Sequence, residues 1–289
     1  MTKKLGVSVD GGGELITGPA LFFDQLERPE CYGPLDGKVD VWSGTSAGCI
    51  YALLRAIGKN ASEAHTLIDA GNPKIFHAVP FWWKMDPTRP KWESDGIEKL
   101  AKDIFGDRKC CDVTTPFFCV SFDFTTGKPK IWDTSDDAYL RDVVLTSTAA
   151  PTYFQPRNSR YADGGLVSNN PSPILIAGAK QKLGIMPEDL LVLSINTGGS
   201  YWKNPKIGAR TTKLGWITPI IDAALYGNEE MSTFIADAWI GDRHLRIGPK
   251  DTHEFELDAT EALPEFRQLW QNAFDEKNED VRLFLQGLE

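Results

Sequence analysis

The sequence predicts an α/β protein with a mainly parallel central sheet. Short apolar runs of strand type alternate with stretches of helical periodicity. The runs at 5–9, 39–42 and 189–196 each lead into a turn rich in small residues and glycine. Turns at the carboxyl ends of parallel strands share one sheet edge, where such folds place their sites. The glycines after Asp10, together with Ser46, Asp163 and Thr197, are therefore expected on a single edge.

Taken in order, residues 5–9 (LGVSV) read as a buried strand running into Asp10-Gly11-Gly12-Gly13. Three consecutive glycines expose backbone amides. They fit a flexible turn, a phosphate loop or an oxyanion hole, but neither standard nucleotide-loop spacing is present. Asp10 is expected to hydrogen-bond this turn. A helix follows over 18–27, with Leu21, Phe22 and Leu26 on one side. Val39, Val41 and Trp42 then lead into Gly44-Thr45-Ser46-Ala47-Gly48 and a helix over 47–57. Asn60 and Glu63 have capping-box spacing, for a helix expected to stop at Gly71. The stretch 75–85 ends in Phe81-Trp82-Trp83 and shows no clean period. It fits either a loop packed on the core or an interfacial, substrate-access segment.

Ser94 is expected to cap a helix over 97–105 that Gly106 ends. Strands over 116–122 and 130–132 join across Thr125-Thr126-Gly127, and Ser135 is expected to open a helix through Leu140, Val143 and Val144. Small residues at 146–152 suggest closely packed backbone. Tyr161-Ala162 enters Asp163-Gly164-Gly165, and Asn169-Asn170-Pro171 holds a turn and opens a helix to about 183. Residues 201–213, with Trp202, Lys203, Lys206, Arg210 and Lys213, read as a solvated loop. Helices over 213–225, 229–240, 263–274 and 277–288 and short strands over 244–247 and 255–257 complete the chain. No linker, repeat or low-complexity segment interrupts it. One domain over 1–289 is expected, with a motif-bearing core at about 5–200 and a mostly helical part at about 201–289.

Composition narrows the function. A net charge of −9 argues against nucleic-acid binding and against strong general attraction to anionic membranes. The start, Met-Thr-Lys-Lys and then a strand, leaves no room for a signal-peptide apolar region, and no apolar run is long enough to span a bilayer. The five cysteines include one adjacent pair and make a poor disulfide framework, so they read as reduced and cytosolic. No Cys/His cluster has metal-ligand spacing, and no calcium loop of EF-hand type occurs, so no metal or cofactor is expected.

The strongest local signal is 39–50, VDVWSGTSAGCI. Strand, tight turn at a serine and helix make a nucleophile elbow. Gly44 and Gly48 are small because the turn is sharp, Ser46 stands exposed at the strand end, and the amide of Ala47 is placed to donate to an oxyanion. Composition alone gives roughly 0.1 chance occurrences of the glycine-serine-glycine pattern. A plain glycine-rich turn with Ser46 as helix cap is the competing interpretation.

Together these residues resemble the patatin-like phospholipase family. The matches are Asp10-Gly11-Gly12-Gly13, Gly44-Thr45-Ser46-Ala47-Gly48, 147–154 (STAAPTYF), Asp163-Gly164-Gly165 with Asn169-Asn170-Pro171, and 193–198 (LSINTG), all in family order. The resemblance implies a three-layer α/β/α sandwich and acyl-ester hydrolysis by a Ser–Asp dyad. It makes Ser46 the nucleophile, Asp163 its partner, and Gly11, Gly12 and Gly13 the oxyanion hole. The implied substrate is a phospholipid or related acyl lipid. Three departures stand out. The family's loop arginine and following glycine are replaced by Leu15 and Ile16, Asn196 stands where the family often has glycine, and the last ninety or so residues carry no family motif.

A dyad without histidine needs a carboxylate whose pKa is raised by burial. Two alternatives stay open. One is a Ser-Asp-His triad using His244 or His253, since His65 and His77 have no evident partner. The other is a patatin-like scaffold that binds lipid or protein without turnover. Trp82 and Trp83 are candidates for transient membrane-surface contact by a cytosolic protein. The sequence does not give the oligomeric state.

Overall fold

The computed structural model describes residues 3–76, 79–84, 86, 89–198, 212, 214–249, 255, 257–258 and 260–288. His77, His253, Trp202, Lys203, Lys206, Arg210 and Lys213 lie outside the described residues. Among those described, seven strands form one sheet: β1 (Lys4–Val9), β2 (Val41–Thr45), β3 (Phe117–Asp123), β4 (Lys128–Trp132), β5 (Tyr161–Asp163), β6 (Leu190–Ile195) and β7 (His244–Ile247). The first helices are α1 (Thr17–Leu26), α2 (Ala47–Ala56), α3 (Ala61–Ile75), α4 (Phe81–Lys84) and α5 (Asp95–Phe105). They are followed by α6 (Leu140–Ser147), α7 (Gly165–Ser168), α8 (Ser172–Gly178), α9 (Ile217–Ile240) and α10 (Leu263–Gln286).

The strand order is β4-β3-β2-β1-β6-β7, with β5 also paired to β3. All neighbours are parallel except β4 and β5, which run antiparallel to β3. Side chains alternate between faces, as a strand requires. Leu191, Leu193 and Ile195 join one core with α1, α2, α3, α5, α6 and α10. Leu190 and Val192 join a smaller core on the other face with Leu175 and Ile176 of α8 and Ala236 and Ile240 of α9. The result is a three-layer α/β/α sandwich.

One register detail positions the site. Thr45 at the end of β2 pairs with Val120, and Asp163 at the end of β5 pairs with the next residue, Ser121. Because β4 takes the opposite side of β3, β2 and β5 share one lane, end to end. Asp163 thus does not end a parallel strand, as the glycine pattern suggested. It arrives from the opposite direction and meets the end of β2.

Other departures have local causes. The capping box at Asn60 and Glu63 forms, but α3 continues past Gly71 to Ile75. Gly71 serves packing, since a Cβ there would come within 2.8 Å of Leu100 in α5. Ser94 makes no side-chain cap bond. Ser135 lies in a turn where its amide donates to Asp133 at 2.7 Å, and the helix starts only at Leu140. The helices expected at 213–225 and 229–240 are one, as are those expected at 263–274 and 277–288. Leu257 lies in a turn, not a strand, and its carbonyl accepts from the Glu14 amide at 2.8 Å. Trp83 donates from Nε1 to Pro90 O at 2.8 Å, whereas Trp82 is 60% exposed. No helix among the described residues is long and apolar enough to cross a membrane.

Among the described residues of the C-terminal part, β7 extends the sheet, and α10 packs on α1 with Trp270 buried. A Cβ at Gly18 would fall 2.0 Å from Trp270 Nε1. Gly18→Ala is therefore expected to lower unfolding free energy by about 1–3 kcal/mol through overpacking. A urea titration followed by tryptophan fluorescence checks this.

Candidate active site

The elbow forms as its glycines require. A Cβ on Gly44 would lie 2.2 Å from the Gly48 carbonyl, and one on Gly48 would lie 2.3 Å from the Val9 carbonyl. The first turn of α2 thus rests directly on β2 and β1, with no space for side chains. Ser46 turns the chain between strand and helix at φ 53° and ψ −125°, a conformation that costs a non-glycine residue energy. Its amide donates to Ser147 Oγ at 3.0 Å, and Ser147 in turn donates to the Val120 carbonyl at 2.6 Å. The sequence showed only that residues near 147 are small. It did not show that one of them holds the nucleophile's backbone.

Ser46 Oγ donates to Asp163 Oδ2 at 2.6 Å, and the Gly165 amide donates to Asp163 Oδ1 at 2.7 Å. Asp163 is buried, and burial pushes its carboxyl up to about 6 against the pull of these two hydrogen bonds. The group is largely ionised near neutral pH, yet close enough to that range to accept a proton.

The glycine loop lies against Ser46. A Cβ on Gly11 would sit 3.1 Å from Ser46 Cβ. The Gly11 amide, expected as an oxyanion donor, instead donates to the Asn169 carbonyl at 3.2 Å. Gly13 has φ +58°, and a Cβ there would fall 2.2 Å from the Leu257 carbonyl. Among the described residues, no neighbouring loop takes the amides of Gly12, Gly13 or Ala47. An apolar pocket of about 610 Å³, including its open mouth, reaches Ser46. Ile16, Ile50, Ile68, Leu100 and Phe154 contribute to its walls.

A family model for patatin-like phospholipases matches residues 7–176. The chain belongs to the patatin-like phospholipase family. As such it is an enzyme of the lipid acyl hydrolase class. It is 28% identical over 286 residues to patatin-like protein 2 of Arabidopsis thaliana, covering 79% of this chain and 70% of that protein. It is 29% identical over 240 residues to a cGAMP-activated phospholipase of Escherichia coli, covering 73% and 67%. Among solved structures, VipD from Legionella pneumophila overlaps loosely, with a TM-score of 0.47 at 12% identity over 96% of this chain and 67% of that one.

Within this patatin-like enzyme the described histidines lie elsewhere. His244 Nδ1 contacts Asp237 Oδ1 at 2.7 Å and its Nε2 contacts Ser172 Oγ at 3.3 Å. These three residues have the connectivity of a triad, but Ser172 is fully buried and its hydroxyl also meets Ser8, Ser194 and Asn170. His244 is therefore not the base for Ser46. His65, expected to lack partners, lies between Asp24 and Asp69 at 3.3 and 3.4 Å, and contact with these carboxylates raises its pKa.

Leu15 and Ile16, where the family has its arginine and glycine, are buried. A different arginine stands behind the loop. Arg246 of β7 reaches Asp10 Oδ2 at 2.5 Å, Glu229 Oε1 at 2.8 Å and Ser194 Oγ at 2.8 Å. Asp10 thus pairs with Arg246 rather than bonding the glycine turn, and burial pushes its carboxyl up to about 7 despite that pairing. Glu229 accepts from Asn169 Nδ2 at 3.0 Å. Asn228 accepts from the Asn169 amide at 2.7 Å and donates to the Gly165 carbonyl at 2.6 Å. Helix α9 therefore grips the turns carrying Gly11 and Asp163. No local pattern marks Arg246, Asn228 or Glu229, because the bonds that tie them to Asp10 and Asn169 span more than fifty residues of sequence.

Removing the arginine strands two buried carboxylates. Arg246→Met is expected to cost about 3–5 kcal/mol of stability at pH 8. The loss should shrink at pH 5, where protonation neutralises Asp10, and urea titrations at the two pH values measure the difference.

Proposed function

We propose that this enzyme cleaves the acyl ester bonds of phospholipids or related lipids through an acyl-Ser46 intermediate. The observation that carries this is the 2.6 Å Ser46–Asp163 hydrogen bond at an apolar pocket. Ser46 Oγ attacks the acyl carbonyl carbon while its proton passes to Asp163. Negative charge collects on the carbonyl oxygen, where the amides of Gly12, Gly13 and Ala47, with the α2 dipole, are the donors we assign. Asp163 then gives its proton to the leaving alcohol oxygen. Water attacks the acyl-enzyme as Asp163 takes one of its protons, and Asp163 returns that proton to Ser46 Oγ as the bond to the acyl carbon breaks, which frees the fatty acid and restores both residues. The pocket walls suit a hydrocarbon chain.

The same reading treats residues 1–289 as one domain, supported by the pairing of β7 with β6 and the packing of α10 on α1. It also places the enzyme in the cytosol, touching lipid surfaces transiently through exposed Trp82. Trp82→Ala should lower turnover on mixed phospholipid vesicles and spare a soluble short-chain p-nitrophenyl ester. Equal loss on both substrates would reject the contact.

The central test is hydrolysis by wild type, Ser46→Ala and Asp163→Asn, with folding checked by circular dichroism. Both variants should lose nearly all turnover, and a fluorophosphonate should label wild type but not Ser46→Ala. Since Asp163 must be ionised to act as base, kcat/KM should rise with pH through about 6. Stability runs the other way. The native carboxyl holds its proton to about 6 whereas an exposed aspartate releases it near 3.8, so ionisation costs stability as pH rises through that window. Full activity in Asp163→Asn would sink the dyad.

A further inference from the structure

Helix α9 grips the active-site turns with one face and leaves an apolar stripe on the other. Ile220, Ala223, Gly227, Met231 and Phe234 are all exposed. Steps of three and four residues put them on one side of a helix. Phe234 is 69% exposed, Ile220 58% and Met231 57%, and a Cβ added at Gly227 would meet nothing within 4 Å. Continuous apolar surface of this kind marks an interaction site.

Charge selects the partner. From 214 to 242 the sequence has no Lys or Arg and five acids, Asp222, Glu229, Glu230, Asp237 and Asp242; Glu229 is buried against Arg246, while Glu230, Asp237 and Asp242 are exposed. Helices that lie on lipid surfaces carry basic residues beside their apolar face, and this one carries the reverse. The stripe is also symmetric about Gly227. In an antiparallel two-fold crossing at that glycine, Ile220 lies at the height of Phe234 of the second copy, and Ala223 at the height of Met231. One step further out, exposed Trp216 matches exposed Ala238. Large meets small at two of these pairs, and the facing glycines let the backbones approach. No acid of one copy falls opposite an acid of the other; Glu230 faces Ala224. A parallel pairing would instead stack Glu230 on Glu230.

We propose that this face is a two-fold homodimer interface, with the two α9 helices crossing antiparallel at Gly227. Such an interface is isologous, each patch meeting its own copy. One helix face about 36 Å long belongs to the small, reversible class, so the dimer is concentration-dependent.

The test is sedimentation velocity on the full chain over a wide concentration series, with vesicle flotation alongside. Wild type should pass from monomer to dimer, and Phe234→Glu should stay monomeric with an unchanged circular dichroism spectrum. In a Cys31→Ser/Cys111→Ser background, Gly227→Cys should form an interchain disulfide under mild oxidant. Met231→Cys should not, because the two sulfurs would be separated by about 12 Å along the helices. A monomeric wild type at every concentration overturns the proposal, as does a Phe234→Glu variant that still dimerises. Equal cross-linking at 231 and 227 overturns the crossing. A monomeric wild type that floats with phosphatidylcholine vesicles while Phe234→Glu does not would make this a lipid-binding face instead.

Discussion

Strand β3 is the template on which the site depends. Val120 takes Thr45 as its partner and Ser121 takes Asp163. Two strands running in opposite directions therefore end against each other in one lane. β2 must leave the sheet where β5 arrives, which forces the sharp turn at Ser46. The turn in turn brings α2 onto the backbone of β1 and β2, and only glycine fits at 44 and 48. Ser147 ties both ends of this junction by bonding the Ser46 amide and the Val120 carbonyl. The short Ser46–Asp163 distance follows from sheet register more than from the choice of side chains.

Two buried carboxylates flank the glycine loop under different conditions. Asp163 faces Ser46 with no cation among its described partners, and burial lifts it toward neutrality. Asp10 sits behind the loop, tied to an arginine that also serves Glu229. The first arrangement leaves a proton acceptor ready to change state. The second fixes backbone, since Glu229 holds Asn169 and Asn169 holds Gly11. Charge pairing is thus kept away from the reacting hydroxyl and used to brace the turns around it.

What was legible in the sequence follows the range of each signal. The elbow, the glycine loop and the strands at 5–9 and 189–196 announce themselves within ten residues, and they lie where the patterns indicated. β5 has three residues, too few for an alternation to reveal direction, so its antiparallel entry could not be read. Helices expected at 213–225 and 229–240 are one, because the glycine between them, Gly227, costs a helix interior only about 1 kcal/mol and α9 runs through it. Ser135 resembled a cap because Asp133, which captures it, offers the same chemistry. The pairing of Arg246 with Asp10 spans 236 positions and leaves no local trace.

The backbone of Ser46 carries a further implication. Its φ of 53° is one that glycine adopts freely and serine adopts at an energetic penalty of about 1–3 kcal/mol. An exchange of Ser46 for glycine would relieve that strain but would also remove the hydroxyl that donates to buried Asp163, a loss of about 1–3 kcal/mol that offsets the gain. The strain belongs to the Cβ that carries the hydroxyl, so the elbow holds a side chain where the backbone alone favours glycine. Among descendants of this fold, the residue at that position should report whether turnover is still under selection.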